Sequence, residues 1–209
     1  MRQLPLPLAA GASPERIVVG SANAQVLDAF AHPETWPFRT AVLTGPPRAG
    51  KSLLARWFAQ TGKGEVIDDA EGTDETELFH RWNRAQESGT PLLIVSNVGA
   101  AAGAGEGGWQ VKLPDLASRL GGSLHLQVGE PDEAMMADLI ALHAELRGFT
   151  LGEDAAAYLV PRAERSHVGV ERLVAAIDRI SLERKAAPTL AVWREALEEV
   201  NGATQPRLF

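Results

Sequence analysis

The sequence contains no cysteine among its 209 residues, which excludes disulfides, thiolate zinc sites and cysteine nucleophiles. At its N-terminus it also lacks the continuous apolar run of about 7 to 15 residues of a signal peptide, or of about 20 residues of a membrane helix. Acidic residues outnumber basic ones, and the net charge of −7 argues against broad, non-specific nucleic-acid binding. These absences predict a cytoplasmic protein that does not span a membrane, with a local basic patch as an open alternative. Direct sequence-specific DNA binding is not expected either.

The composition is that of a globular protein with one main domain and a smaller second one. Hydrophobic residues make up 45% of the chain, which is enough to bury a core at this length. From Glu130 onward, four segments carry apolar residues at helical spacing, which predicts a small helical domain. His143 and His167 in this region do not have the spacing of metal ligands.

The N-terminal stretch RQLPLPL, from Arg2 to Leu8, alternates leucine with proline. Pro5 and Pro7 lack a backbone donor and bias the residue before them toward extended geometry, so the stretch cannot form a helix. It is predicted to be extended or disordered. A floppy tail and a strand docked on the protein's own surface both remain open from these residues alone.

The stretch TAVLTGPPRAGKSLLARWFAQ, from Thr40 to Gln60, has the order strand, glycine-rich loop, amphipathic helix. Gly45, Gly50, Lys51 and Ser52 match the P-loop pattern, in which backbone N–H groups and a helix N-terminus surround phosphates. Lys51 is predicted to reach the terminal phosphates of ADP or ATP and Ser52 to hold Mg²⁺; the alternative is a simple glycine-rich turn. The predicted nucleotide-binding residues of the loop are Gly45, Pro46, Pro47, Arg48, Ala49, Gly50, Lys51, Ser52 and Leu53.

An acidic segment follows in GEVIDDAE, Gly64 to Glu71, where a short apolar run ends in two carboxylates. A strand that ends in this way can deliver an acid to the metal beside a P-loop. Asp68 is therefore predicted to share Mg²⁺ with Ser52, and Asp69 or Glu71 to orient an attacking water. A solvated acidic turn that caps the following helix explains Asp69 and Glu71 equally well.

The apolar run PLLIVSN, Pro91 to Asn97, is typical of a strand covered on both faces. Asn97 would lie at its carboxyl end, where ligands bind in open α/β sheets, and is predicted to sense the γ-phosphate or position water. An asparagine at this place is also a common turn residue. The alternating segment SLHLQV, Ser123 to Val128, predicts a half-buried edge strand.

The chain contains three further motifs: RIVVGSAN (Arg16–Asn23), LPDLASRL (Leu113–Leu120) and ELRGF (Glu145–Phe149). A P-loop, a strand-end acid, a strand-end asparagine and a helical lid are the parts of an AAA+ module. With these motifs the chain resembles, over nearly its whole length, the Hda family, the regulatory inactivators of the replication initiator DnaA. The resemblance implies an adenine-nucleotide-binding regulator of DnaA.

The resemblance also gives the N-terminal stretch a partner. Hda proteins begin with a similar peptide that enters a pocket of the DNA polymerase sliding clamp, the β subunit. The C-terminal QPRLF, Gln205 to Phe209, is similar to a second form of this peptide, although a frayed tail is the plainer alternative. The residues implied for clamp binding are Gln3, Leu4, Leu6, Pro7 and Leu8.

The family pattern also assigns roles to other single residues. Arg119 falls on the arginine finger that acts in trans on the ATP held by DnaA, in a short helix that starts near Pro114; the alternative is a solvated surface arginine. Arg172 is the candidate lid arginine that touches nucleotide; the alternative is that the family residue aligns with Glu171. Ile17 and Val18 would line the adenine pocket, with core packing as an equal alternative.

The chain departs from the family in length, because only 15 residues separate Ser52 from Asp68. This is room for one helix and a turn, so one strand–helix unit is missing. The expected α/β fold is an AAA+ P-loop domain with a four-stranded parallel sheet plus a small C-terminal helical lid domain. Numbered along the chain, its strands are expected in the order fourth, first, third, second, with right-handed crossovers. The expected boundaries are a clamp-binding tail at 1–12, the α/β domain at 13–129, the lid at 130–202 and a C-terminal tail at 203–209.

The function predicted from the sequence is a clamp-bound regulator that docks on DnaA and promotes hydrolysis of its ATP. One alternative is a self-contained P-loop ATPase or small-molecule kinase, which would turn over without DnaA. Another is a DnaA-type initiator or loader AAA+ module, against which stand the acidic charge and the absence of room for a helix-turn-helix domain before Phe209.

Overall fold

The computed structural model describes residues 3–5, 16–97 and 109–204. These residues form two compact units, which divide between Gly129 and Glu130. In chain order the strands are β1 (Gln3–Pro5), β2 (Arg16–Val18), β3 (Thr40–Thr44), β4 (Glu65–Ile67), β5 (Leu92–Val95) and β6 (Leu124–Gln127). The α-helices are α1 (Ala24–Ala31), α2 (Lys51–Gln60), α3 (Glu75–Ser88), α4 (Pro114–Gly121), α5 (Glu133–Leu146), α6 (Glu153–Leu159), α7 (His167–Arg184) and α8 (Leu190–Thr204).

The N-terminal unit is built on a four-stranded parallel sheet with the strand order β4–β5–β3–β6. The two central strands, β3 and β5, are buried along their whole length, as expected for strands covered on both faces. At the edge, β6 buries only Leu126. The sequence-based prediction of four parallel strands, and of their order, is confirmed.

Helices cover both faces of this sheet because successive side chains of a strand point to opposite sides. On one face, Leu43 of β3 belongs to a core cluster that includes residues of α1 and α2. In that cluster, the rings of Phe30 and Phe58 lie 5.0 Å apart. On the other face, Val42 belongs to a cluster with buried residues of α3 and α4. Buried apolar side chains therefore support the sheet on both of its faces.

The N-terminal stretch contributes a strand to a separate two-stranded sheet. Residues Gln3–Pro5 pair antiparallel with Arg16–Val18, with Leu4 opposite Ile17. Of the two predicted states, extended or disordered, Gln3–Pro5 adopt the extended one, and they do so as a strand docked on the protein's own β2, one of the interpretations that the sequence left open. The remaining clamp-binding candidates, Leu6, Pro7 and Leu8, and the C-terminal Gln205–Phe209 lie outside the described residues.

The C-terminal unit is a helical lid formed by α5 to α8. Two of its helices start at side-chain caps, since Asp132 accepts from the backbone N–H of Met135 and Ser166 from that of Gly169. Met135 and Met136 of α5 are buried in this unit. Salt bridges from Arg179 and Arg184 tie α7 to Glu199 and Glu195 of α8. None of the helices in the described ranges is long and apolar enough to cross a membrane.

Candidate functional site

The glycine-rich loop between β3 and α2 needs glycine at both of its ends. Gly45 has φ +150°, and a Cβ there would lie 2.8 Å from the carbonyl oxygen of Val128. Gly50 occupies the left-handed region at φ 85° and is the N-cap of α2. A side chain is excluded by contact at the first glycine and disfavoured by backbone conformation at the second. The loop therefore leads directly into the N-terminus of α2.

Lys51 is buried inside this loop, with 3% of its surface exposed. Its Nζ donates to the carbonyl oxygens of Gly45, at 2.9 Å, and of Pro46, at 2.7 Å. Burial lowers the pKa of Lys51, and the carboxylates of Glu71 and Asp68 act in the opposite direction. The ammonium group thus lies in the loop beside carboxylates, with partners that a phosphate could replace.

The backbone N–H groups that could bind a phosphate group lie at one end of the loop. Pro46 and Pro47 carry no N–H, and the N–H of Ala49 already donates to the carbonyl oxygen of Pro46 at 3.3 Å. The first-turn N–H groups of α2, which include those of Lys51 and Ser52, have no carbonyl partner within the helix. The end of the loop and the helix start are therefore the part that could bind phosphates.

The acidic segment and Asn97 lie together where β4 and β5 end. The Asn97 Nδ2 donates to the Asp69 carboxylate at 3.3 Å, and its backbone N donates to Glu71 Oε1 at 2.8 Å. The other oxygen, Glu71 Oε2, is buried and has no hydrogen-bond partner among the described residues. Asp68 is exposed directly after β4. This edge therefore gathers three carboxylates and one amide.

The alternative that Asp69 or Glu71 caps the following helix is wrong. Helix α3 is capped by Asp74, whose Oδ1 accepts from the backbone N–H groups of Thr76 and Glu77. Asp69 itself has a left-handed backbone, with φ 54° and ψ 49°. Aspartate is one of the few residues besides glycine that adopt this conformation, as asparagine does. Capping of α3 therefore does not account for the acidic residues at positions 69 and 71.

Helix α4 begins at Pro114, as predicted, and buries Leu116 and Leu120. Arg119 lies beside this apolar stripe and is half-buried, so its side chain is not fully solvated, and its role as an arginine finger stays a prediction. Its Cζ lies 4.4 Å from the ring centroid of Phe79 and 4.3 Å from that of Trp82, and its Nη1 donates to Asn83 Oδ1. No local pattern in the sequence indicates these contacts, because they join side chains of two different helices.

The remaining candidates are placed as follows. Ile17 and Val18 are buried, with 2% and 4% of their surfaces exposed. Ile17 packs in the sheet core, so the packing interpretation is observed, and the adenine-pocket role stays a prediction. Arg172 is exposed on α7, next to the half-buried Glu171, and its lid role also stays a prediction.

The magnesium site is likewise still a prediction. Within residues 16–97 and 109–204, no group of three or more histidine or acidic residues is arranged to hold a metal ion. Ser52 is half-buried in the first turn of α2, and Asp68 is exposed. A hydroxyl and one carboxylate suit Mg²⁺ chemically, because this ion keeps several waters and takes further oxygens from the phosphates.

Solved structures identify the architecture. Domain III of the Thermotoga maritima replication initiation protein DnaA matches with a TM-score of 0.68 and 16% identity, over 88% of this chain and 94% of that one. The AMPPCP-bound DnaA of Aquifex aeolicus matches with a TM-score of 0.58 and 16% identity, over 81% of this chain and 66% of that one. The RuvB Holliday junction branch migration motor of Thermotoga maritima matches with a TM-score of 0.59 and 14% identity, over 87% and 70%. The chain has an AAA+ fold.

Sequence comparison does not assign the chain to a family. No protein-family profile matches the chain. An uncharacterized protein of Haemophilus influenzae is 28% identical over 185 residues, which cover 85% of this chain and 78% of that protein. The resemblance to the Hda family therefore stays a hypothesis.

The AAA+ fold explains why the candidate residues meet. The P-loop follows β3, Asp68 follows β4 and Asn97 follows β5, and these strands are parallel. Their carboxyl ends therefore share one edge of the sheet, which is the ligand-binding edge of open α/β sheets.

Proposed function

We propose that this AAA+ protein binds an adenine nucleotide, docks on the DNA polymerase sliding clamp and stimulates hydrolysis of ATP bound to DnaA. Clamp docking is assigned to the N-terminal stretch Gln3–Leu8. Stimulation is assigned to Arg119, which acts in trans on the nucleotide of DnaA. The proposal rests on the Hda-like motifs together with an AAA+ fold similar to that of DnaA domain III.

The observation that carries the proposal is that Arg119 is held in place without a carboxylate partner among the described residues. Helix α4 holds it half-buried, and no carboxylate among the described residues forms a salt bridge with it. Its guanidinium therefore keeps a positive charge that a phosphate of another molecule can use. An arginine finger supplies such a charge as negative charge develops during phosphoryl transfer.

The P-loop supports the nucleotide part of the proposal. Lys51 would exchange its two carbonyl partners, Gly45 and Pro46, for the phosphates of ADP or ATP. A phosphate is the better partner because it is charged. Ser52 and Asp68 would hold Mg²⁺, whose role there is to neutralise phosphate charge.

The N-terminal strand supports the clamp part, with one added condition. Residues Gln3–Pro5 pair with β2, so an extended peptide is already formed. If the clamp pocket takes this same segment, the pairing with Arg16–Val18 has to be exchanged for contacts with the clamp. Pro5 and Pro7 limit the ordering cost of that exchange, and the leucines supply apolar area to bury.

The test is hydrolysis of ATP preloaded on DnaA, measured with and without sliding clamp loaded on DNA. The wild-type protein is expected to accelerate hydrolysis only when the loaded clamp is present. Gln3→Ala is expected to remove the clamp-dependent part and leave ADP binding intact. Equal rates with and without the clamp would contradict the role of the N-terminal stretch.

A second candidate function, a self-contained ATPase, is favoured by Glu71. Its Oε2 is buried and unpartnered among the described residues, and its carboxylate influences the pKa of Lys51. A carboxylate in that position could orient water toward a bound nucleotide. The discriminating measurement is ATP turnover by the protein alone: steady turnover that Glu71→Gln abolishes supports this function, and none supports the regulator.

A further inference from the structure

We infer that Phe79, Trp82 and Asn83 position Arg119 for its action on the nucleotide of another molecule while leaving its positive charge unpaired. This inference rests on the proposed function and deepens it, because it identifies what holds the arginine finger. We call the three residues of α3 the neutral cradle.

The geometry of the neutral cradle follows from helical spacing. Phe79, Trp82 and Asn83 stand at positions i, i+3 and i+4 of α3, so their side chains share one face of the helix. The Arg119 Cζ lies within cation–π distance of both rings, at 4.4 and 4.3 Å. The Asn83 side-chain oxygen accepts a hydrogen bond from Arg119 Nη1.

The backbone that carries Arg119 is also fixed. Leu116 and Leu120 of α4 are buried at 0% and 1% exposure, and Ser123 Oγ donates to the Arg119 carbonyl oxygen at 2.9 Å. At the other end of α4, the Glu75 carboxylate of α3 accepts from the backbone N–H groups of Lys112 and Leu113, at 2.9 and 2.7 Å. Contacts on both sides of the arginine therefore hold α4 in place.

The chemistry of the cradle distinguishes Arg119 from several other arginines of the chain. Arg179 and Arg184 form salt bridges with carboxylates, and so do Arg147 and Arg165. Arg119 instead contacts two aromatic rings and an amide. An ion pair would have to be broken before a phosphate could bind, whereas rings and an amide oxygen orient the guanidinium without neutralising it.

Orientation matters because catalysis by a positioned charge is sensitive to small displacements. A misplacement of about 1 Å can cost on the order of a hundredfold in rate. A flexible arginine would also lose side-chain freedom when it reaches the partner nucleotide. The neutral cradle limits both losses before the partner arrives, and we therefore assign its members as positioning residues rather than catalytic ones.

Three substitutions test the cradle through the maximal rate of hydrolysis of DnaA-bound ATP. Phe79→Leu keeps apolar volume but removes the ring, and we expect a loss of about threefold to tenfold. Phe79→Tyr keeps the ring and should retain the wild-type rate. Asn83→Asp strengthens the contact to Arg119 but pairs its charge, so the rate should fall by about tenfold or more without a lower melting temperature.

The matched control is Tyr158→Leu in the lid. It removes the ring that lies 4.3 Å from the Arg162 Cζ, a contact of the same kind away from Arg119, and should leave stimulation unchanged. The protein concentration that gives half-maximal stimulation should stay constant in all variants, because the cradle acts on the reacting charge. A full maximal rate in Asn83→Asp, or equal losses in Phe79→Leu and Phe79→Tyr, would overturn the inference.

A melting experiment separates failure of the cradle from failure of the proposed function. Arg119→Ala, Phe79→Leu and the double variant form a cycle that needs no DnaA. We expect the double variant to be more stable than the sum of the single losses predicts. Each single substitution already removes the contact between Arg119 and Phe79, so the double variant loses that contact only once. Additive losses would refute the cradle. If the wild-type protein fails to stimulate DnaA, the proposed function fails and takes the role of Arg119 with it.

Discussion

Alanine substitution at three glycines tests the conformation of the phosphate loop. Gly45 has φ +150° and no room for a Cβ, which would lie 2.8 Å from Val128 O. Gly50 and Gly62, at φ +85° and +69°, have no neighbouring atom within 4 Å of the position that a Cβ would take. Gly62, in the turn after α2, is therefore a control for backbone strain without a role in the loop.

The structure gives the expected order of stability losses. Left-handed backbone strain should cost about 1–2 kcal/mol in Gly50→Ala and Gly62→Ala, which lowers the melting temperature by roughly 2–8 °C for a chain of this size. Gly45→Ala adds overpacking of about 1–3 kcal/mol to backbone strain of about 1–3 kcal/mol, and should melt lowest.

Thermal melts with and without ADP are the assay for this series. Gly62→Ala should keep the full increase in melting temperature on adding ADP. Gly50→Ala should lose most of it, because Gly50 directs the loop into the N-terminus of α2. Wild-type stability in Gly45→Ala would refute the loop conformation, and a full ADP effect in Gly50→Ala would refute its role in binding phosphate.

Three further predictions concern nucleotide, clamp and pH. ADP at about 100 times its dissociation constant should stabilise the wild-type protein by roughly 2.7 kcal/mol, and Lys51→Ala should abolish the shift in melting temperature; an unchanged shift would contradict the P-loop interpretation. Titration of the clamp should show that Gln3→Ala removes most binding while truncation after Thr204 changes it little; equal losses would instead mean that both ends of the chain dock. Burial lowers the pKa of His167, and the neighbouring His143 adds to this effect. The unfolded state therefore binds the proton more readily, and the stability of the protein should fall as the pH drops below about 6.5. Thermal melts of wild type and His167→Gln at about pH 7.5 and about pH 5.5 check this, and equal losses of stability in both proteins would contradict it.

The sheet could be predicted from the sequence because its signals are local and strong. The apolar runs of β3 and β5 and the P-loop between β3 and α2 identify the elements, and right-handed crossovers leave few possible orders. The cap of α3 could also have been found, since Asp74 is followed by Glu77 three residues later, a common N-terminal signal.

Long-range contacts between side chains could not be predicted in the same way. The apolar face of α3 indicates which residues turn toward the core, but not that Phe79 and Trp82 meet Arg119, which lies 36 residues beyond Asn83 on another helix. The pairing of Gln3–Pro5 with β2 is a long-range choice as well, since a short extended peptide fits many strand edges.

The central claim is most directly tested by hydrolysis of DnaA-bound ATP in the presence of DNA-loaded clamp, with the wild-type protein compared with Arg119→Ala. The account predicts that Arg119→Ala binds clamp and ADP normally, melts within a few degrees of the wild-type protein and loses stimulation by about 10³-fold or more. Near-normal stimulation by Arg119→Ala would contradict the account.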